Sequence, residues 1–430
     1  MDSLSDFGCF VYYFNSLILT TGLYPEHFAH FPLVNTVLLL LGGGLSLLAS
    51  RLLLRTIDLN FSEVLCVGLR ELLLGACSKR RSWVSNISAL LKLCLSYNSW
   101  GKIVYVIFMP YIVLSLVRNL LVSGFLLYVH TIGEAEFGWR WLMVLFAGGI
   151  LVGSSLSLQK MARVQMVCGL LHIVCTLCFS LTYLVDLANA PESIWQTITA
   201  QYDTFLRSNH ILIPSVLEAS KSPPKRHIVL ITWAVILALG INLLQYWIVG
   251  MYRPIISETS TLIIRRIGIL LQIPVLFSSV HIYLRALTDV VITWRYSYNA
   301  NKRYYWRIKA VRILLPLIVY LPIFALAYFD QSKAQYIVFL PFASTLATST
   351  MYLIIPYCYN RTVQQIWLMK KTPAWWTNSL YAAWVFSLIA AIVNYSLYRT
   401  FADIKLGVSL SGSLYVVMVL WHIIGYFLSC

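Results

Sequence analysis

Residues 228–250 read IVLITWAVILALGINLLQYWIVG, an apolar stretch without a charged side chain. About 20 consecutive apolar residues are enough for an α-helix to cross the hydrocarbon core of a bilayer, so this stretch predicts a membrane-spanning helix. Similar stretches follow one another along nearly the whole chain. We predict spans at about Phe31–Ser50, Ile103–Val129, Trp141–Leu158, Val164–Leu187, Ile228–Gly250, Gly268–Thr293, Ile313–Phe329, Tyr336–Tyr357, Leu380–Tyr398 and Gly407–Leu428.

The composition supports the same fold class. The chain is 59% hydrophobic and 11% charged, whereas an ordinary globular domain carries about 25% charged residues. The sequence therefore predicts an all-α fold, a polytopic transmembrane helical bundle with about nine or ten spans, some of which can be re-entrant or broken. Residues 1–430 are expected to form a single integral membrane domain.

Two further apolar segments have weaker patterns. Cys9–Tyr24 is predicted to be an interfacial helix or the first span. Phe61–Cys77 contains Glu63, Arg70 and Glu71 and is followed by basic residues at 79–81. That mixture predicts a separate interfacial or re-entrant helix on the cytoplasmic side.

The charge balance is strongly basic, with 32 Lys and Arg against 16 Asp and Glu, a net charge of +16. The basic residues are concentrated between apolar stretches, which is the pattern of the positive-inside rule and argues against nucleic-acid binding. Residues 295–312 form the most basic such segment, a predicted cytoplasmic loop, and the C-terminus is predicted to be cytoplasmic. The basic loops are expected to contact the lipid bilayer through anionic lipid headgroups.

The localisation expected from the sequence is an integral protein of a eukaryotic plasma membrane or endomembrane. Nine cysteines, short loops and four Asn-X-Ser/Thr sequons suit such a membrane. Further partners are predicted to be other membrane proteins or a second copy of the chain.

Residues 188–227 are the longest polar interval and are predicted to be an inter-helix loop. Counting spans forward from Arg163 places this interval outside the cell, whereas counting backward from residues 295–312 places it inside. One segment must therefore be re-entrant or broken, or the interval must contain another crossing. Gly268–Thr293 is the candidate for a broken helix because Pro274 removes a helix hydrogen bond.

Catalytic and cofactor motifs are not found in the sequence, which favours a function other than catalysis. The histidines are dispersed, so we predict no metal site and no cofactor. Cys175 and Cys178 form a CxxC inside a predicted span. They lack the second ligand pair of a zinc site and are interpreted as buried thiols.

Charged residues inside apolar stretches are the strongest functional signal. A charge at the centre of a membrane helix costs about 2.5 to 3.5 kcal/mol on insertion scales, so it is expected to have a partner or to face water. Arg118 lies at the middle of a predicted span, and Arg285 and Asp289 are spaced to pair on one helical face. Glu63, Arg70 and Glu71 form a second, weaker group.

These charges allow two interpretations. In the first, Arg118, Arg285 and Asp289 line a path through which the protein moves a small solute, an ion or a lipid. In the second, they pair internally and fix helix register in a membrane-embedded receptor or a non-catalytic subunit of a larger complex. A lipid-modifying enzyme is a third hypothesis, and the dispersed histidines argue against it.

Overall fold

The computed structural model of the chain describes residues 4–18, 32–72, 158–182, 209–220, 222–251, 351–365 and 374–398. It also describes helical positions at 90, 91, 94, 103, 106, 112, 263, 264, 267, 271, 281, 282, 284–288, 290, 310, 314 and 420. The elements are α1 Asp6–Ile18, α2 Pro32–Leu72, α3 Leu158–Thr182, a 3₁₀ turn Asn209–Leu212, α4 Ile213–Ala219, α5 Pro224–Met251, α6 Met351–Gln365 and α7 Ala374–Tyr398. Within these residues the only β-structure is a single bridge between Leu4 and Ser220, so the predicted all-α class is confirmed.

Two of the described helices are long and apolar enough to cross a membrane. They are Leu33–Leu59 within α2, with a mean hydropathy of 2.0, and Pro224–Leu244 within α5, with a mean hydropathy of 2.2. The predicted span Ile228–Gly250 lies entirely inside α5. The helix begins at Pro224 because proline has no N–H to satisfy and its fixed φ suits the first helical position.

Helix α2 corrects one expectation from the sequence. Phe31–Ser50 and Phe61–Cys77 were predicted as separate elements, but residues 32–72 form one helix of 41 residues. Arg51, Arg55 and Asp58 interrupt the apolar pattern without interrupting the backbone, since no proline lies between residues 33 and 72. Hydropathy indicates whether a helix faces lipid or a polar environment and does not show where its backbone ends. The sequence therefore suggested two elements where there is one helix.

Helices α2 and α5 pack in opposite directions. Leu39 packs against Leu239 and Leu243, and Gly43 lies against Leu239. A Cβ at Gly43 would approach a methyl carbon of Leu239 to 2.6 Å, so the missing side chain allows the close approach. Continuing this register brings Arg51 about level with Ile231 in the second turn of α5.

Helices α1 and α3 run in the same direction, because Gly8 lies against Ala162 and Asn15 bonds to Gln165 further along both helices. The beginnings of α1, α3 and α5 therefore share one end of the bundle with the second half of α2. Exposed basic side chains gather there, and we call this end the basic face: Arg51, Lys160, Arg163, Lys225 and Arg226.

Residues 209–219 lie within the interval 188–227 and form a short helical segment whose side chains are mostly buried. Its first turn reaches Ser46, which is the midpoint of the candidate span Leu33–Leu59, through a hydrogen bond from His210. Its last turn ends at Ser220, beside the start of α5. The segment thus covers about half the membrane depth.

Gly169 on α3 lies against α1. A Cβ there would lie 2.4 Å from Oδ1 of Asn15, whose amide is held by two hydrogen bonds to Gln165. We expect Gly169→Ala to destabilise the purified protein by about 1–3 kcal/mol through this overlap. The measurement is thermal unfolding in detergent.

Gly240→Ala is the matched control, because Gly240 is also helical and a Cβ there would meet nothing within 4 Å. An unfolding temperature equally lowered in both variants would contradict the assigned contact between α1 and α3.

Candidate functional site

Helices α1 and α4 lie side by side and run in opposite directions. The backbone N–H of Leu4 donates to the carbonyl oxygen of Ala219 at 2.8 Å, where α4 ends. Both helices therefore reach from the basic face into the bundle. Polar groups carried to this depth need partners within the protein or a water-filled cavity.

The buried side of α1 is unusually polar. Tyr12, Tyr13, Asn15 and Ser16 are each no more than 4% exposed. The amide nitrogen of Asn15 donates to the backbone oxygen of Gln165 at 2.6 Å and to its side-chain oxygen at 2.8 Å. These bonds anchor α1 on α3 where water is excluded.

His210 forms the buried histidine centre together with the Ser46 carbonyl and Tyr352. Its Nε2 lies 2.9 Å from the Ser46 oxygen, and its ring meets Tyr352 edge to face at 5.7 Å. A carbonyl oxygen only accepts, so in the neutral imidazole Nε2 carries the proton and Nδ1 keeps an open lone pair. Nδ1 is buried and has no hydrogen-bond partner among the described residues.

A hydrogen-bond chain joins α1, α4 and α5 through His227. The hydroxyl of Ser220 donates to the Leu217 oxygen at 3.2 Å, which leaves it to accept from Nε2 of His227 at 2.7 Å. Nδ1 then accepts from the Tyr13 hydroxyl at 2.8 Å. Each donor in the chain is thus matched to one acceptor, and all three helices must be in place for the chain to close.

The outer end of α1 is held by an N-terminal latch, which consists of Asp6, Ser222 and Arg226. The Asp6 carboxylate accepts a hydrogen bond from the Ser222 hydroxyl and forms an ion pair with Arg226, whose Nε lies 2.5 Å from Oδ2. The side chain of Arg226 is 64% exposed and that of Asp6 is 30% exposed, so solvent screens this ion pair. Cys9, one helical turn further in, is fully buried.

The residues predicted from the sequence are only partly placed. Arg285 is half-buried at a helical position, and its positive charge acts on the hydroxyl of Tyr12 in α1. Glu63, Arg70 and Glu71 lie on the C-terminal part of α2, where the backbone is helical. Arg118 and Asp289 lie outside the described residues, so the pairing of Arg285 with Asp289 remains a prediction.

His210, His227 and Asp6 were not singled out by the sequence. Tyr13 and His227 are 214 positions apart, so no short-range sequence pattern predicts the hydrogen bond between them. The one available signal was a polar pair at residues 209–210 opening an apolar helical run. Among the described residues, no three His, Cys, Asp or Glu side chains are grouped to hold a metal ion.

No protein-family model matches the sequence, and no curated protein matches it. Solved structures match by fold. Two variants of the manganese transporter from Eremococcus coleocola superpose with TM-scores of 0.55 and 0.52, at 10% identity, over 97% of this chain and 94% of theirs. MhsT in complex with L-phenylalanine superposes with a TM-score of 0.50, at 13% identity, over 94% of this chain and 100% of that one.

These similarities define the class of the fold. The chain is a polytopic helical integral membrane protein with the architecture of helical membrane transporters, and the predicted membrane bundle is confirmed. At 10–13% identity the likeness concerns the fold alone.

The latch predicts a measurable effect of Asp6 on Cys9. Asp6→Asn removes the ion pair with Arg226 while leaving an oxygen for Ser222, so the beginning of α1 should detach more often. A partly exposed pair contributes about 0–1 kcal/mol, so we expect alkylation of Cys9 to accelerate by up to about fivefold. The rate is measured peptide by peptide by mass spectrometry.

Asp58→Asn is the matched control, because Asp58 is an exposed carboxylate on α2. Cys94 and Cys358, which are buried elsewhere, serve as internal references. Equal acceleration of all three thiols would indicate general loosening of the bundle and contradict a local latch.

Proposed function

We propose that this protein transports a small polar solute across the membrane and that the solute binds at the buried histidine centre. The observation that carries the proposal is the lone pair on Nδ1 of His210, which is buried, lacks a hydrogen-bond partner among the described residues and lies level with the middle of a span. A buried acceptor without a donor costs free energy, so such a group is commonly retained for a ligand.

The chemistry of Nδ1 defines the solute class. An imidazole lone pair accepts a hydrogen bond from an N–H or O–H group and also ligates a metal cation. A protonated amine and a divalent cation both satisfy it. The structural neighbours supply one example of each, a manganese transporter and a protein bound to L-phenylalanine, so we test both kinds of solute.

The position of the centre fits alternating access. His210 opens a helix that runs from mid-membrane to the basic face, and α1 runs beside it from the same face. Movement of α1 and α4 relative to α2 would expose this centre to one side of the membrane while the rest of the bundle closes the other.

The first test replaces the acceptor and keeps the donor. In His210→Gln the side-chain amide can still donate to the Ser46 oxygen but offers no lone pair at the Nδ1 position. We expect uptake into liposomes to fall by about tenfold or more, equivalent to about 1.4 kcal/mol, with little change in unfolding temperature. Uptake of Mn²⁺ and of a mixture of labelled L-amino acids is measured.

His210→Asn is the matched variant, because its side-chain oxygen lies near the Nδ1 position while the bond to Ser46 is lost. It should retain more uptake than His210→Gln and lose more stability. The opposite order would mean that His210 holds the fold and does not contact the solute. Uptake of neither solute by wild-type protein would instead favour the receptor or non-catalytic subunit.

The predicted path of buried charges is tested at Arg285, whose positive charge acts on Tyr12 of α1. If its charge serves the path, Arg285→Gln should lower uptake by about tenfold while Arg285→Lys retains most of it. Asp289→Asn and Arg118→Ala are measured alongside. Equal loss in Arg285→Gln and Arg285→Lys, together with lowered unfolding temperatures, would assign Arg285 to packing and register.

A further inference from the structure

The turn between α4 and α5 contains a sequence motif that packing does not require. Residues 220–226 read SKSPPKR. Ser222 is followed directly by Pro223 and, three positions on, by Lys225. A proline after the serine and a basic residue two positions beyond it are the features that proline-directed serine/threonine kinases select. Pro223, Lys225 and Arg226 are exposed, and Ser222 is half-exposed.

The charges around the turn indicate on which side of the membrane it lies. The basic face carries the exposed side chains of Arg51, Lys160, Arg163, Lys225 and Arg226. By the positive-inside rule, an end of a helical bundle with this excess of basic residues is cytoplasmic. The contacts of α1 with Ala162 and with Arg226 place residues 220–226 at the same end of the bundle as Arg163. Ser222 then faces the compartment that contains ATP and protein kinases.

We propose that Ser222 is a phosphorylation site for a proline-directed kinase and that its phosphorylation releases the beginning of α1 from the basic face. The inference rests on the latch geometry and not on the proposed transport of a solute. It assigns a regulatory function to a contact that the buried histidine centre does not use.

The phosphoryl transfer to Ser222 uses ATP as the donor, and every bond and proton in it is accounted for. The Ser222 oxygen attacks the γ-phosphorus of ATP, the bond from that phosphorus to the β-phosphate oxygen breaks, and the hydroxyl proton passes to the base of the kinase. The products are phosphoserine and ADP. The modified residue has lost the proton with which Ser222 donates to Asp6, and it carries a charge of about −1.5 to −2 at neutral pH.

This change reverses the sign of the contact with Asp6. In the unmodified latch the carboxylate receives a hydrogen bond from Ser222 and a positive partner in Arg226. After modification the carboxylate faces a dianion. The phosphate also competes for Arg226 and is favourably placed before the first turn of α5, where the helix dipole stabilises negative charge. Asp6 therefore loses both of its partners.

Kinase access follows from the same local structure. Residues 224–226 occupy the first turn of α5, whose N–H groups have no intrahelical acceptors, and Arg226 N–H bonds to the Pro223 oxygen at 3.0 Å. Opening of this turn and of the exposed latch frees the segment for binding in extended form. The kinase binds molecules in which the latch is open. The phosphate then opposes closing of the latch, so the equilibrium shifts toward the open form.

The first experiment measures the modification itself. Full-length protein in lipid nanodiscs is incubated with ATP and a purified proline-directed kinase, and phosphopeptides are quantified by mass spectrometry. We expect phosphate on Ser222, loss of that signal in Ser222→Ala, and about a two- to fivefold higher initial rate in Asp6→Asn, where the latch is weakened. Asp58→Asn serves as the control for added exposure of the basic face.

A synthetic peptide covering residues 216–228 separates the two ways this experiment can fail. A peptide that the kinase does not phosphorylate overturns the assignment of the motif. A peptide that is phosphorylated, beside a protein that is unmodified at Ser222 in both wild type and Asp6→Asn, overturns the accessibility of the site.

The second experiment measures the release of α1. Phosphorylated protein and Ser222→Glu should show Cys9 alkylation about tenfold faster than unmodified protein, because like charge replaces attraction at the latch. Ser222→Gln is the matched control, since it has the same size as Ser222→Glu without the charge. Cys94 and Cys358 remain the internal references.

Full phosphorylation with an unchanged rate at Cys9 would overturn the release of α1. It would mean that the phosphate caps α5 and bridges to Arg226 while the buried contacts of α1 stay intact.

Discussion

The hydrocarbon core of a bilayer contains no water to satisfy a polar group, and the arrangement of α1 and α4 depends on this constraint. The polar side chains that α1 and residues 209–219 carry into the bundle must therefore find partners within the protein. Asn15 bonds to Gln165 of α3, and His210 bonds to a carbonyl oxygen of α2. The position of each short helix is thereby fixed by a helix distant in sequence. The consequence is a core whose register is set by polar bonds as much as by apolar packing.

His227 extends this dependence to a third helix. It lies in the first turn of α5 and uses one ring nitrogen for α1 and the other for the end of α4. Both partners are hydroxyl groups, which donate or accept according to need. Displacement of α1 removes the donor from Nδ1, and displacement of α4 removes the acceptor from Nε2. The two short helices are thus coupled, since neither can leave without exposing a buried nitrogen of the same imidazole.

The sequence predicted the parts of the fold that depend on hydropathy alone. The span at Ile228–Gly250 and the all-α class followed from runs of apolar residues, which lipid requires. The continuity of α2 through Arg51 and Asp58 could not be predicted from hydropathy. Exposed charges show that this part of the helix faces a polar environment, but they do not interrupt its backbone. The helix at residues 213–219 was missed for the converse reason. It has seven residues, about a third of the roughly 20 that a span needs, so its apolar residues gave too short a run within a polar interval.

The candidate site was harder to predict, since its contacts join residues far apart in the chain. Asp6 meets Ser222 and Arg226, and Tyr13 meets His227, across more than 200 positions. Arg285 was predicted because a charge in an apolar run is unusual in any context, and its role stays a prediction. A serine in an exposed turn or a histidine at a helix start is ordinary in isolation, and only the fold gives it a partner.

The contacts of α1 differ in strength from one end to the other, and this gradient determines how the helix can move. At the basic face, α1 is held by the backbone hydrogen bond from Leu4 to Ala219 and by a solvent-screened ion pair worth about 0–1 kcal/mol. Further in, Tyr12, Tyr13 and Phe14 are buried, and each large apolar side chain contributes about 1.5–3 kcal/mol through burial. Detachment is therefore expected to begin in the segment from Leu4 to Asp6 and to progress inward. A change of charge at the outer end acts where the helix is held least, and it needs to supply only a small part of the total free energy to alter the detached population several-fold.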